Sequence, residues 1–173
     1  MIVVVLDACF LIVLRDTGRL DLLGKVAQPM SWVYYAPEAV YSESTVRRPT
    51  AEAVERLVEE GTIHRCVVPE PLCSQLKTQY VSLARGEVEA LAFAVTERDR
   101  GEEVLVVSDD VKAKNAAGDL GLDVLGILDF LSSCHGSGIM SGEEVKSYLP
   151  SLRRNFEIEE DKLKKFLASL GLS

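Results

Sequence analysis

The sequence is short of the residues that build several common kinds of site. It has only two histidines, His64 and His135, and its four cysteines, Cys9, Cys66, Cys73 and Cys134, show no CxxC spacing. A structural zinc site is therefore not expected, and reduced, mostly buried thiols are. Aromatic residues make up only 6% of the chain, too few to argue a row of base-stacking side chains; Trp32, Tyr34 and Tyr35 fit a core strand better. Positive charge is scarce as well: 19 Lys and Arg stand against 27 Asp and Glu, a formal net charge of −8. That argues against a surface that coats nucleic acid, and leaves room for an enzyme that holds phosphates through metal ions. The N-terminal apolar run is broken by Asp7 and Arg15 and is too short to span a membrane. Without a basic leader or a small-residue cleavage site, the expected location is cytoplasmic.

What is present is enough apolar material for a core: 47% of 173 residues are hydrophobic. Strand-like and helix-like patterns alternate, which predicts an α/β fold with a mainly parallel sheet. Strands are expected at Ile2–Leu6, Ser31–Tyr35, Ile63–Val68, Val104–Val107 and Asp123–Leu125. Between them, helical spacing covers 8–14, 20–26, 38–45, 72–83, 87–98 and 110–117, and Thr50 is placed to cap a further helix that ends before Gly61. After residue 135 the character changes. Ser141-Gly142-Glu143-Glu144 fits a capping box, with Val145, Tyr148, Leu149 and Leu152 on one face behind it. A second amphipathic stripe holds Leu163, Phe166, Leu167 and Leu170. Residues 1–135 are thus expected as the main domain and 136–173 as a helical extension packed on it.

Four acidic stations stand out. Asp7 follows the apolar strand Ile2–Leu6, and an ionised carboxylate there must meet water, a cation or a polar partner. Val104–Val107 repeats the pattern, followed by Ser108, Asp109 and Asp110. In open α/β sheets ligands bind beyond the carboxyl ends of the strands. Glu43 and Glu89 lie on predicted helices between these two strands. Converging carboxylates repel one another unless a cation is present, and Mg²⁺ and Mn²⁺ favour hard oxygen ligands. Each station has an ordinary reading beside this one: Asp7 and either Asp109 or Asp110 suit helix caps, and Glu43 alone suits a solvated helix face. Glu87 and Glu89 are two apart, so on a helix only one of them enters a common site. Glu87, nearer the helix start, suits the helix dipole, which leaves Glu89 as the choice.

Taken in order, Leu6-Asp7-Ala8-Cys9, Pro37-Glu38-Ala39-Val40-Tyr41-Ser42-Glu43, Gly86-Glu87-Val88-Glu89-Ala90 and Ser108-Asp109-Asp110 resemble the PIN-domain ribonucleases. Val124–Leu128 continues the resemblance, and Gly138-Ile139-Met140 with the last amphipathic helix looks like a prokaryotic branch of that family. The resemblance implies a three-layer α/β/α sandwich and metal-dependent cleavage of RNA with Mg²⁺ or Mn²⁺. It also implies a homodimer, often acting as the toxin of a toxin–antitoxin pair with an antitoxin protein as partner. By position, Asp7, Glu43, Glu89 and Asp110 match the family's four acids, with Asp109 able to serve in place of Asp110. Ser108 matches a polar residue of the site. Arg15, Arg47, Arg48, Arg85, Lys112 and Lys114 lie near an acidic station in sequence, and Lys112 and Lys114 are the best placed to meet phosphate.

Two other classes compete. A non-catalytic PIN-like module that binds RNA or protein is motivated by the acidic net charge and by Glu, one methylene longer than the family's frequent Asp, at the third station. A phosphorylated receiver or aspartyl phosphatase also begins with an acid after its first strand. It is the weaker reading, because Asp7-Ala8-Cys9 is not a DxD pair.

Overall fold

The computed structural model describes residues 1–46 and 51–172. Its centre is β1 (Ile2–Leu6), where Val3, Val4, Val5 and Leu6 are all buried. A strand apolar at every position has no face for water and is stable only between two neighbours and under two helical layers. It pairs in parallel with β2 (Trp32–Pro37) and β4 (Glu103–Val107). Beyond these lie β3 (Ile63–Cys66) and β5 (Asp123–Leu125), giving an all-parallel sheet in the order β3-β2-β1-β4-β5. The chain winds outward from β1 through β2 to β3, then returns to place β4 on the other side of β1. The crevice beyond the carboxyl ends of β1 and β4 is therefore the topological switch point.

Helices cover both faces in a three-layer α/β/α sandwich. α1 (Ala8–Asp16), α2 (Asp21–Met30), α3 (Glu38–Ser44), α4 (Ala51–Glu59) and α5 (Glu70–Gln79) precede α6 (Arg85–Asp99), which lies along β1, β2 and β4 with α3 and α5 beside it. α7 (Val111–Asp119) packs on β5, and α8 (Ile127–Gly136) on α2. α9 (Gly142–Asn155) packs on α1 and α8, and α10 (Glu160–Ser169) closes the chain. Phe130 of α8 anchors this side of the core, edge-on to Phe10 at 5.1 Å and stacked with Trp32 at 6.3 Å. Val145, Tyr148, Leu149 and Leu152 of α9, and Leu163 and Phe166 of α10, belong to the same buried core. The capping box opens α9 as the sequence predicts: Ser141 Oγ accepts from Glu144 N at 3.2 Å, and Glu144 Oε2 accepts from Ser141 N at 2.7 Å. No helix among the described residues is long and apolar enough to cross a membrane.

Three differences from the sequence-based expectation bear on function. α8 is a full helix that periodicity did not single out; its first turn is held by a distant carboxylate described below. α5 begins at Glu70 and ends at Gln79, two residues earlier and four residues shorter at its end than expected, because Pro71 suits the first helical turn. α6 begins at Arg85, so Gly86 lies inside the first turn. The cause is Glu87, whose Oε2 accepts from Ala84 N at 2.6 Å and closes the helix end. Thr50, the expected cap of α4, lies outside the described residues.

Candidate active site

Asp7 leaves the end of β1 at the switch point and is 3% exposed. It occupies the N-cap position of α1, yet its side chain makes no capping hydrogen bond there. Its Oδ2 instead accepts from Ser108 Oγ at 2.8 Å, across the crevice from the end of β4. The register explains the meeting: Leu6 pairs with Val107, and Asp7 N donates to Val107 O at 3.1 Å, so the next residues face each other. Ser108 Oγ also accepts from Asp110 N at 3.2 Å, and one hydroxyl thereby links the two acidic stations.

Asp110 caps α7 through a single oxygen: Oδ1 accepts from Lys112 N at 2.8 Å and Ala113 N at 3.0 Å. Its ordinary reading as a cap holds, and it keeps a second oxygen for other chemistry. Asp109 turns elsewhere. Its Oδ2 accepts from Ile127 N at 2.7 Å, which holds the start of α8, and its Oδ1 takes Lys114 Nζ at 3.3 Å. A Cβ on Gly126 would stand 2.6 Å from Asp109 Oδ1, so the glycine is what lets this carboxylate reach the α8 end. Asp109 thus caps the start of α8, and both of its oxygens are met by protein donors, Lys114 among them.

Glu43 projects from α3, exposed, over the first turn of α6. A Cβ on Gly86 would lie 3.0 Å from Glu43 Oε1 and 3.2 Å from Oε2, so the missing side chain makes room for this carboxylate. Glu87 follows immediately. The charges of Asp110, Asp7 and Glu43 all act on it, and after desolvation these raise its pKa. Asp7 is raised too: burial is the largest cause and Glu43 adds to it, while the Ser108 hydroxyl and the N–H groups of Ala8 and Cys9 act the other way. At the rim, desolvation together with Asp7, Glu87, Asp110 and Glu43 pushes the Cys9 thiol up to about 11, so it stays protonated near neutral pH. The carboxylates gathered around Asp7 and Glu87 are therefore Glu43, which acts on both, and Asp110, which acts on Glu87.

Glu89, the sequence-based choice for the third acid, is engaged elsewhere. Its Oε2 accepts from Ala39 N at 2.8 Å and its Oε1 from Arg85 Nε at 2.9 Å. Both oxygens serve protein donors on the far side of α6 from Glu87. The signal that could have found this is Pro37: it stands at the N-cap of α3 with no side-chain acceptor, so Ala39 N needs one from outside.

Of the nearby cations, Arg15 is buried and donates from Nη1 to Ser44 O at 2.5 Å, a structural role. Arg85 pairs with Glu89, and Lys112 is exposed in the first turn of α7 beside Asp110. Arg47 and Arg48 lie outside the described residues. Among the described residues no three His, Cys, Asp or Glu side chains form a group that could hold a metal ion as they stand. The donor chemistry nevertheless suits a hard cation, since carboxylates raised first by burial and then by neighbouring acids, as Asp7 and Glu87 are, are relieved by positive charge beside them. An open set also agrees with the habit of Mg²⁺, which keeps several waters and shares few carboxylates.

A parallel α/β sandwich with a carboxylate crevice at its switch point defines a class of acid-site proteins, among which nucleases are one group. The family model described as PIN domain matches residues 3–171, and the chain belongs to the PIN-domain family. PIN domains are generally nucleases and typically use a divalent metal. Comparison with curated proteins gives no match to this chain.

Proposed function

We propose that this protein is a metal-dependent endoribonuclease whose working acids are Asp7, Glu43, Glu87 and Asp110. The observation that carries the proposal is the geometry at the switch point, where Ser108 joins Asp7 to Asp110 and Gly86 makes room for the Glu43 carboxylate beside Glu87. Mg²⁺ or Mn²⁺ bound among them would activate a water and neutralise charge on the departing oxygen of a phosphodiester. Asp7, buried and held by Ser108, would supply the best-ordered oxygen. Glu43 would lean in over Gly86. Asp110 would present the oxygen its cap leaves over, and Ser108 would hold their spacing. Lys112 would meet a phosphate of the RNA. In the finer reading the protein is the cytoplasmic toxin of a toxin–antitoxin pair, a homodimer whose partner is an antitoxin protein.

RNA incubated with the protein and Mg²⁺ or Mn²⁺ is expected to be cut internally, and Asp7→Asn to abolish cutting. Undiminished cleavage by that variant at full metal would overturn the site. A second reading, a PIN-like module that binds without cutting, is favoured by one observation: no closed metal-holding group is preformed among the described residues. Calorimetric titration with Mn²⁺ separates the two. Binding lost in both Asp7→Asn and Asp110→Asn supports the nuclease, and no uptake by the parent protein supports the module.

A further inference from the structure

We propose that Glu89 and Arg15 are positioning residues that clamp α3 from its two ends and so set where Glu43 stands. The inference rests on the acidic crevice being the working site. α3 has seven residues, too few to be stable alone, and its ends carry orphan backbone groups like those of any helix. Local sequence does not cap its start, because Pro37 has no acceptor side chain. The acceptor arrives from α6, 50 residues away, as Glu89 Oε2 on Ala39 N. At the other end the buried Ser44 carbonyl takes the guanidinium of Arg15 from α1. Charge matches the dipole at both ends, an anion at the amino end and a cation at the carboxyl end. Both side chains are themselves buried, Glu89 at 8% and Arg15 at 7% exposure, so these contacts are shielded from salt. The pair Arg65–Glu38 at the same amino end is half exposed and adds little.

The clamp does more than steady one helix. α1 starts at the residue after Asp7, and α6 carries Glu87 two residues before Glu89. The two contacts therefore tie the helix bearing Glu43 to the elements that hold two other acids of the crevice. Glu89 thereby acts on the site through α3 rather than through a carboxylate of its own.

The test compares Glu89→Ala, Glu89→Gln, Glu87→Gln and Arg15→Met in the full chain, with amide hydrogen exchange without metal and Mn²⁺ affinity by electron paramagnetic resonance. Glu89→Ala is expected to speed exchange across Ala39–Ser44 by about fivefold or more, as loss of a helix cap does. Its Mn²⁺ affinity should fall by about tenfold or more, the usual effect of removing a group that orients a ligand. Glu89→Gln keeps an acceptor for Ala39 N and should restore both to within about threefold of the parent, the scale of one modest hydrogen bond. Glu87→Gln should weaken Mn²⁺ binding without touching α3 exchange. Arg15→Met should loosen α3 from its Ser44 end, and it decides the matter if Glu89→Ala does not fold. Unchanged exchange in α3 in the Glu89→Ala and Arg15→Met proteins overturns the clamp. So does a Glu89→Gln protein that keeps α3 protection but loses Mn²⁺ as fully as Glu43→Gln, because Glu89 is then a ligand. A parent protein that takes up no Mn²⁺ overturns the nuclease reading, while the exchange measurement still decides the clamp.

Discussion

Asp7 spends folding stability that only a cation or a proton can return. Its folded pKa lies above the ordinary 3.8 because the carboxylate is buried beside Glu43, so the ionised form is disfavoured in the native state. A carboxyl raised in this way destabilises the fold fully at pH above its folded pKa. The penalty fades as pH falls through that pKa and is gone below 3.8. Glu87, also raised, has the same sign. The metal-free protein is therefore expected to gain thermal stability from these groups on acidification below neutral pH. Because a net charge of −8 relaxes over the same range, the informative measurement is the difference between the parent and Asp7→Asn. Asparagine can still accept from Ser108 and carries no charge. Asp7→Asn should melt higher than the parent at pH 7, with the gap closing toward pH 4, and Mn²⁺ should raise the parent's melting temperature but not the variant's. A variant that melts below the parent at pH 7 contradicts this account. Tyr34 is a second residue with a buried polar group at a cost: its hydroxyl has no hydrogen-bond partner among the described residues. Tyr34→Phe is expected to be neutral or to stabilise by about 1 kcal/mol, read from denaturant midpoints, since a buried unpaired hydroxyl costs roughly 1–3 kcal/mol.

Among the elements, the first turn of α6 is where packing and chemistry meet. An alanine at Gly86 is better for a helix by about 0.5–1 kcal/mol, but its Cβ would crowd the Glu43 carboxylate at 3.0–3.3 Å. Glu43 is exposed and can swing aside, so Gly86→Ala should keep or raise the melting temperature while weakening Mn²⁺ binding and RNA cleavage. Unaltered Mn²⁺ affinity would show that Glu43 does not work from this place. The same turn shows what a linear reading can and cannot see. β1 and β4 were legible because unbroken runs of Val and Leu need burial on both faces, and that put Asp7 and Asp110 at one sheet edge. α9 was legible through Ser141 and Glu144, a local cap. The choice between Glu87 and Glu89 was not legible, because the rule that only one of them faces the site does not say which one, and Glu89 has both oxygens on protein donors. That depends on the missing cap at Pro37, a demand made by α3 and met 50 residues later. α8 repeats the lesson in part: Asp129 Oδ2 closes its start locally on Gly126 N at 2.9 Å, while the next N–H, of Ile127, is met by Asp109 18 residues away. The start of α9 is closed by its own neighbours in a pattern the sequence shows, whereas the acceptor that α3 needs comes from another element and only the fold reveals it.

For the whole molecule, the remaining question is whether the last two helices are an appendage or part of the cooperative unit. Buried Val145, Tyr148, Leu149 and Leu152 belong to the same core as β1, and Tyr148 meets Thr17 Oγ1 at 2.6 Å with Arg19 packed over its ring at 5.3 Å. These contacts hold the carboxyl end of α1, whose other end follows Asp7. Burying each large apolar side chain is worth about 1.5–3 kcal/mol, and domains are stable by only about 5–15 kcal/mol in all. Deleting residues 141–173 should therefore abolish the cooperative melt, followed by circular dichroism, rather than leave a smaller protein with the parent's transition. Leu152→Ala gives the graded version. The residue is fully buried, and the expected loss is about 2–5 kcal/mol for a cavity of that kind. Because α9 carries none of the crevice's acids and packs on α1 and α8 behind them, the folded fraction of Leu152→Ala should bind Mn²⁺ as the parent does at low temperature. A truncated chain that keeps the parent's melting temperature would make 141–173 a dispensable cover, with α1 held by α3, α4 and the Phe10–Phe130 contact to α8.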